Sequence, residues 1–123
     1  MSKVLTCILI ASLGGCAAAT ERLRGREVYQ ALGHDPGWLL TIDRGRLIFA
    51  TSTPKTLIEI PQPVPDTTPQ GRRYAAANIR LEIWSQPCND VRSGVAFAET
   101  VSVGANGTEY RGCGGKRVPT LNR

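Results

Sequence analysis

"NIRLEIW", residues 78–84, alternates without a break: Ile79, Leu81 and Ile83 fall on one parity, Arg80 and Glu82 on the other. Successive side chains of an extended chain point to opposite faces, so the spacing predicts a strand with one buried and one wet face. "KTLIEIP" (55–61) repeats the pattern, with Leu57 and Glu59 opposed to Ile58 and Ile60. Further out, "GWLLTID" (37–43) and "RLIFATS" (46–52) meet across Arg44-Gly45, while "AFAETVSV" (96–103) and "TEYRGCG" (108–114) flank Asn106-Gly107. Each glycine supplies the positive φ that a two-residue hairpin turn needs. "EVYQALG" (27–33) alternates moderately, and no helical period is sustained beyond the first fifteen residues. Seven or eight short antiparallel strands with tight turns predict an all-β domain, a small barrel or rolled sheet. "PQPVPDTTPQG" (61–71) holds four prolines, which cannot donate to a ladder, and reads as a long loop or flap.

The N-terminus has a different grammar. Lys3 is followed by about ten mostly apolar residues, Val4 to Leu13, too short to span a bilayer and shaped like a secretory signal. The run ends in Leu13-Gly14-Gly15-Cys16, which resembles the lipobox of bacterial lipoproteins. The resemblance implies cleavage before Cys16, diacylation of its sulfur and acylation of its new amino group. Several acyl chains together anchor stably, at about 0.8 kcal/mol per buried methylene. Ala17, where an aspartate would retain such a protein in the inner membrane, implies the periplasmic face of the outer membrane. The expected organisation is a signal peptide over 1–15, a lipidated tether over 16–26 and a β domain over 27–123.

The 108 residues from Cys16 onward suffice for one small domain. With Lys3 removed, 14 basic side chains face 10 acidic ones, a surplus suited to anionic lipid heads or other polyanionic envelope components. The basic residues are scattered and lack an aromatic-interleaved stripe, so nucleic acid is not an expected partner. Four cysteines divide cleanly: Cys7 leaves with the signal, Cys16 takes the lipid, and Cys88 and Cys113 remain as a pair in an oxidising compartment. A bridge between them is expected, with Cα atoms about 5–6 Å apart. A metal site using these cysteines with His34 and Asp35 is the alternative, but no Cys-x-x-Cys or paired-histidine spacing supports it. No cofactor is expected.

Two clusters stand apart from the strand pattern: Gly33-His34-Asp35-Pro36-Gly37-Trp38, and the polar loop Cys88-Asn89-Asp90-Val91-Arg92-Ser93-Gly94. With "YRGCG" (110–114) they resemble a family of small, largely uncharacterised proteobacterial envelope proteins. Its pattern is Gly-x-x-Pro-x-Trp, then Cys-x-Asp-x-x-Ser-Gly, then Tyr-x-Gly-Cys, and here it runs from Ala31 to Gly114. Gly37 departs from it where a bulky aromatic is common, and Phe97 where tyrosine is common. The resemblance implies a β-rich periplasmic domain and carries no established activity. A bridge from Cys88 to the Tyr110 strand would gather the expected binding surface of His34, Asp35, Trp38, Asp90, Ser93 and Tyr110.

Non-enzymatic binding, as an envelope-accessory module, is the expected function. A shorter resemblance, to lipoprotein inhibitors of animal-type lysozyme, rests on Gly71, Tyr74 and Trp84 in "QGRRYAAANIRLEIW" and gives a first alternative. A small hydrolase using His34, Asp90 and Ser93 gives a second. Adjacent residues on an extended chain point apart, so His34 and Asp35 are not a natural dyad, and no nucleophile elbow or phosphate loop is present.

Overall fold

A computed structural model describes residues 28–119. The expected signal peptide, Cys16 and the whole of the expected tether lie outside those residues. The described chain is all strand and turn: β1 (Tyr29–Gly33), β2 (Trp38–Asp43), β3 (Arg46–Ser52), β4 (Lys55–Pro61), β5 (Asp66–Thr68), β6 (Gly71–Ala76), β7 (Ile79–Trp84), β8 (Cys88–Asp90), β9 (Val95–Ala105) and β10 (Thr108–Val118). All pairings are antiparallel, in the order β4-β3-β2-β1-β10-β9-β7-β6-β5, with β8 added to β9. The two ends of this order, β4 and β5, are consecutive in sequence and joined only by residues 62–65. So short a connection reaches both edges only because the sheet rolls up on itself.

The alternation sets which face turns inward. Ile79, Leu81 and Ile83 of β7 are buried with Leu40 and Ile42 of β2, Leu47 and Phe49 of β3, and Val101 and Val103 of β9. All belong to one core cluster inside the roll. Phe49 sits between two aromatic neighbours, its ring centroid 5.9 Å from that of Trp38 and 5.2 Å, edge-on, from that of Tyr110. Both expected hairpins form. Arg44-Gly45 carries φ of 52° and 75°, Asn106-Gly107 carries 52° and 79°, and each joins directly paired strands. These are the positive angles of a type I′ turn, whose twist matches the strands it joins.

The ten strands exceed the seven or eight that alternation reveals. β5 and β8 are three residues each, too short to show a period, and β6 places one large side chain, Tyr74, in the core. β5 lies inside the proline-rich segment. It is compatible with Pro65 and Pro69 because it is a terminal edge, flanked rather than interrupted by them.

Candidate functional site

β1 and β2 are joined by His34-Asp35-Pro36-Gly37, and β8 and β9 by Val91-Arg92-Ser93-Gly94. Three features bring these connections together. First, Cys88 and Cys113 form a disulfide with their Cα atoms 5.4 Å apart, pinning β8 to β10. Both sulfurs are thereby in the bridge, so the alternative metal site has no thiolates. Second, β10 and β1 pair at Leu32 and Cys113. A Cβ on Gly112 would collide with the Leu32 backbone, and one on Gly33 with the Trp38 indole and the Arg111 carbonyl. This close approach lets the buried indole Nε1–H donate to the Arg111 carbonyl at 3.2 Å. Third, the loops hold each other through side chains.

Asp90 is the hub of that contact. It is 7% exposed and accepts from three donor groups on two loops. The Ser93 hydroxyl donates at 2.6 Å and the Ser93 backbone N–H at 3.2 Å, both to Oδ2. His34 Nε2 lies 3.0 Å from Oδ1 and 3.3 Å from Oδ2. The Ser93 hydrogen bond, working against burial and helped by His34, holds the Asp90 carboxyl below its ordinary pKa. Outside this knot, Arg92 Nη2 donates to Asp35 Oδ1 at 3.2 Å, an exposed pair of small energetic weight. The loops therefore meet twice, histidine to aspartate and aspartate to arginine.

The arrangement differs from a serine-nucleophile triad, in which imidazole sits between serine and carboxylate. Here the carboxylate sits between the other two. The Ser93 hydroxyl is committed to Asp90, and its oxygen accepts from the Val95 backbone N–H at 3.2 Å, as in a turn.

Of the six residues expected at the surface, His34, Asp90 and Ser93 gather in this knot, and Asp35 joins the same two loops through Arg92 just outside it. Trp38 and Tyr110 require correction. They are 5% and 7% exposed, with their rings against Phe49, and act as core supports beneath the loops. Both begin an inward parity, Trp38 with Leu40 and Ile42, which the sequence displays but the adjacent turn residues obscure. Arg92 joins the site unanticipated; its partner Asp35 is 57 positions away, and only the fold pairs them. Beside the knot lies a shallow, mostly apolar depression whose lining includes Leu32, His34, Leu39 and Ala50, together with the largely buried Trp38. The site thus combines a rigid polar ridge with an apolar floor. Comparison of the chain with protein-family models, curated proteins and solved structures finds no match.

Proposed function

We propose that the protein is a lipoprotein held by Cys16 at the periplasmic face of the outer membrane, where its β domain is a non-enzymatic binding or envelope-accessory module. The observation that carries this reading is the Cys88–Cys113 bridge, which fixes an exposed loop to the sheet and suits an oxidising compartment. A rigidly held pair of loops beside an apolar depression is the form of a recognition surface. The partner is an envelope protein or a polyanionic envelope component, the latter matching the basic surplus. The test is metabolic labelling with palmitate. The wild-type chain should take the label and Cys16→Ser should not; label retained by the variant contradicts the anchor.

The second reading, hydrolysis, is favoured by the gathering of His34, Asp90 and Ser93. The commitment of the hydroxyl to the carboxylate, rather than to imidazole, supports the non-enzymatic reading instead. Esterase turnover lost in Ser93→Ala would carry the hydrolase. Stoichiometric inhibition of animal-type lysozyme would carry the inhibitor.

A further inference from the structure

The outer face of the roll has two halves of opposite character. Over β6, β7, β9 and β10 it is laced with charge: Arg73 meets Glu82 at 3.1 Å, and Glu109 takes the Ser102 hydroxyl at 2.7 Å and Arg111 at 3.4 Å. Over β1 to β4 the Arg46–Glu59 pair at 3.6 Å lies beside a straight apolar cross-strand row. Leu32 is opposite Leu39, Leu39 opposite Ala50, and Ala50 opposite Leu57. Leu39 is 47% exposed and Leu57, at the sheet edge, 67%. The row runs outward to an edge and stops there in water.

The hydrogen-bonding parity of that edge follows from the turn before it. Arg44-Gly45 closes the pair Asp43·Arg46, so Arg46, Ile48, Ala50 and Ser52 of β3 turn their backbone groups toward β2. The Ser52 N–H donates to the Gly37 carbonyl accordingly. Leu47, Phe49 and Thr51 therefore bond to Ile60, Ile58 and Thr56 of β4. The backbone groups of Lys55, Leu57 and Glu59 face away from β3, along the edge where the sheet order ends.

We propose that this edge pairs with the same edge of a second copy, antiparallel about a two-fold axis at Leu57. Three observations converge on a second copy as the occupant. Under that axis Lys55 stands opposite Glu59 of the other copy, at both ends, so the charges that commonly guard an edge here attract. Glu59 also meets Arg46 of its own chain at 3.6 Å and is exposed enough to take both cations. Leu57 stands opposite its own equivalent, and the two apolar rows join into one continuous stripe. All three outward-facing residues find backbone partners, because every one occupies a hydrogen-bonded position of the new ladder. Pro54 and Pro61 bracket the segment and limit the pairing to it. The opposite edge is built otherwise: β5 is short, wholly exposed Asp66-Thr67-Thr68 between Pro65 and Pro69. A β4 to β4 contact is isologous and closes at two copies. The short edge buries less than the ~1,200 Å² of a standard interface, so the dimer is weak and reversible. The inference stands independently of the lipid anchor, although its row shares Leu32, Leu39 and Ala50 with the depression beside the loop knot.

Disulfide trapping of the full chain in detergent solution tests it. Residues directly opposite in a hydrogen-bonded pair have Cα atoms about 5.5 Å apart, within reach of a bridge. Under a copper–phenanthroline oxidant, Leu57→Cys should give a covalent dimer beyond any formed by the parent chain. Leu39→Cys, two strands from the axis, should not. Adding Lys55→Glu to Leu57→Cys sets like charges opposite each other and should cut trapping about tenfold, an assumed ~1.4 kcal/mol. Adding Glu59→Lys as well should restore it in part, because the new lysine also faces Arg46 of its own chain. All four positions' side chains are exposed, so melting close to that of the parent chain verifies that each variant is folded. Trapping of Leu39→Cys as efficient as that of Leu57→Cys, a monomeric Leu57→Cys, or indifference to the charge reversal would each overturn the proposal.

Discussion

Asp90 concentrates the physics of the site in one side chain. A buried carboxylate is costly unless its lone pairs are taken up, and here Ser93 and His34 take them up from two loops. Its depressed pKa means that the unfolded chain binds the proton first as pH falls. The stability it confers is therefore complete above the ordinary carboxylate range, near pH 4, and is lost as pH drops through the lower native value. Asp90→Asn keeps the shape but sets an amide N–H₂ among donors. It should lower stability by about 1–3 kcal/mol at pH 7. Denaturant melts from pH 7 to pH 3 check this: the gap to wild type should narrow below pH 4. Glu109, whose pKa the Ser102 hydroxyl and Arg111 also depress, adds the same acid slope to both proteins and cancels in the difference. A gap constant across the range would contradict the role given to Asp90.

At the scale of elements, β8 owes its place to covalent and local bonds rather than to burial. It is three residues long, and only Asp90 of them is buried. The bridge closes a separation of 25 residues, contributing about 3–4 kcal/mol in the chain-entropy model. Cys88→Ser combined with Cys113→Ser should cost about 2–5 kcal/mol in thermal melts and speed amide exchange in the 88–95 segment. Unchanged melting would contradict the staple. The same contrast explains what the sequence makes legible. Ile79-Arg80-Leu81-Glu82-Ile83 announces its strand because one face is buried and the other wet, and Asn106-Gly107 announces its turn because its φ angles are positive. β5, β6 and β8 lack both signals. Cysteine pairing was readable by elimination, whereas His34 with Asp90 and Asp35 with Arg92 are contacts between distant loops, set by strand order alone. Trp38 reads as a surface aromatic beside its turn, yet its parity with Leu40 and Ile42 places it inside.

The described residues form a rolled sheet whose interior is mainly apolar, with the half-buried Arg72–Glu99 pair beside the Tyr29 ring, and whose exterior is divided. The loop knot and the apolar row belong to one part of the outer face, the charge lattice to another. At the far end, the Ala77-Asn78 and Asn106-Gly107 turns line a wide polar hollow with none of the knot's residues. The proposed function makes the knot, rather than the surface at large, the part that recognises an envelope partner. A photoreactive residue at Val91, 93% exposed on the β8–β9 loop, tests it against one at Ala77, an exposed position on the remote turn. After irradiation of intact cells, Val91 should yield a discrete adduct that Ala77 does not, and Asp90→Asn should weaken it. The same adducts from both positions, or none from Val91, would contradict the account.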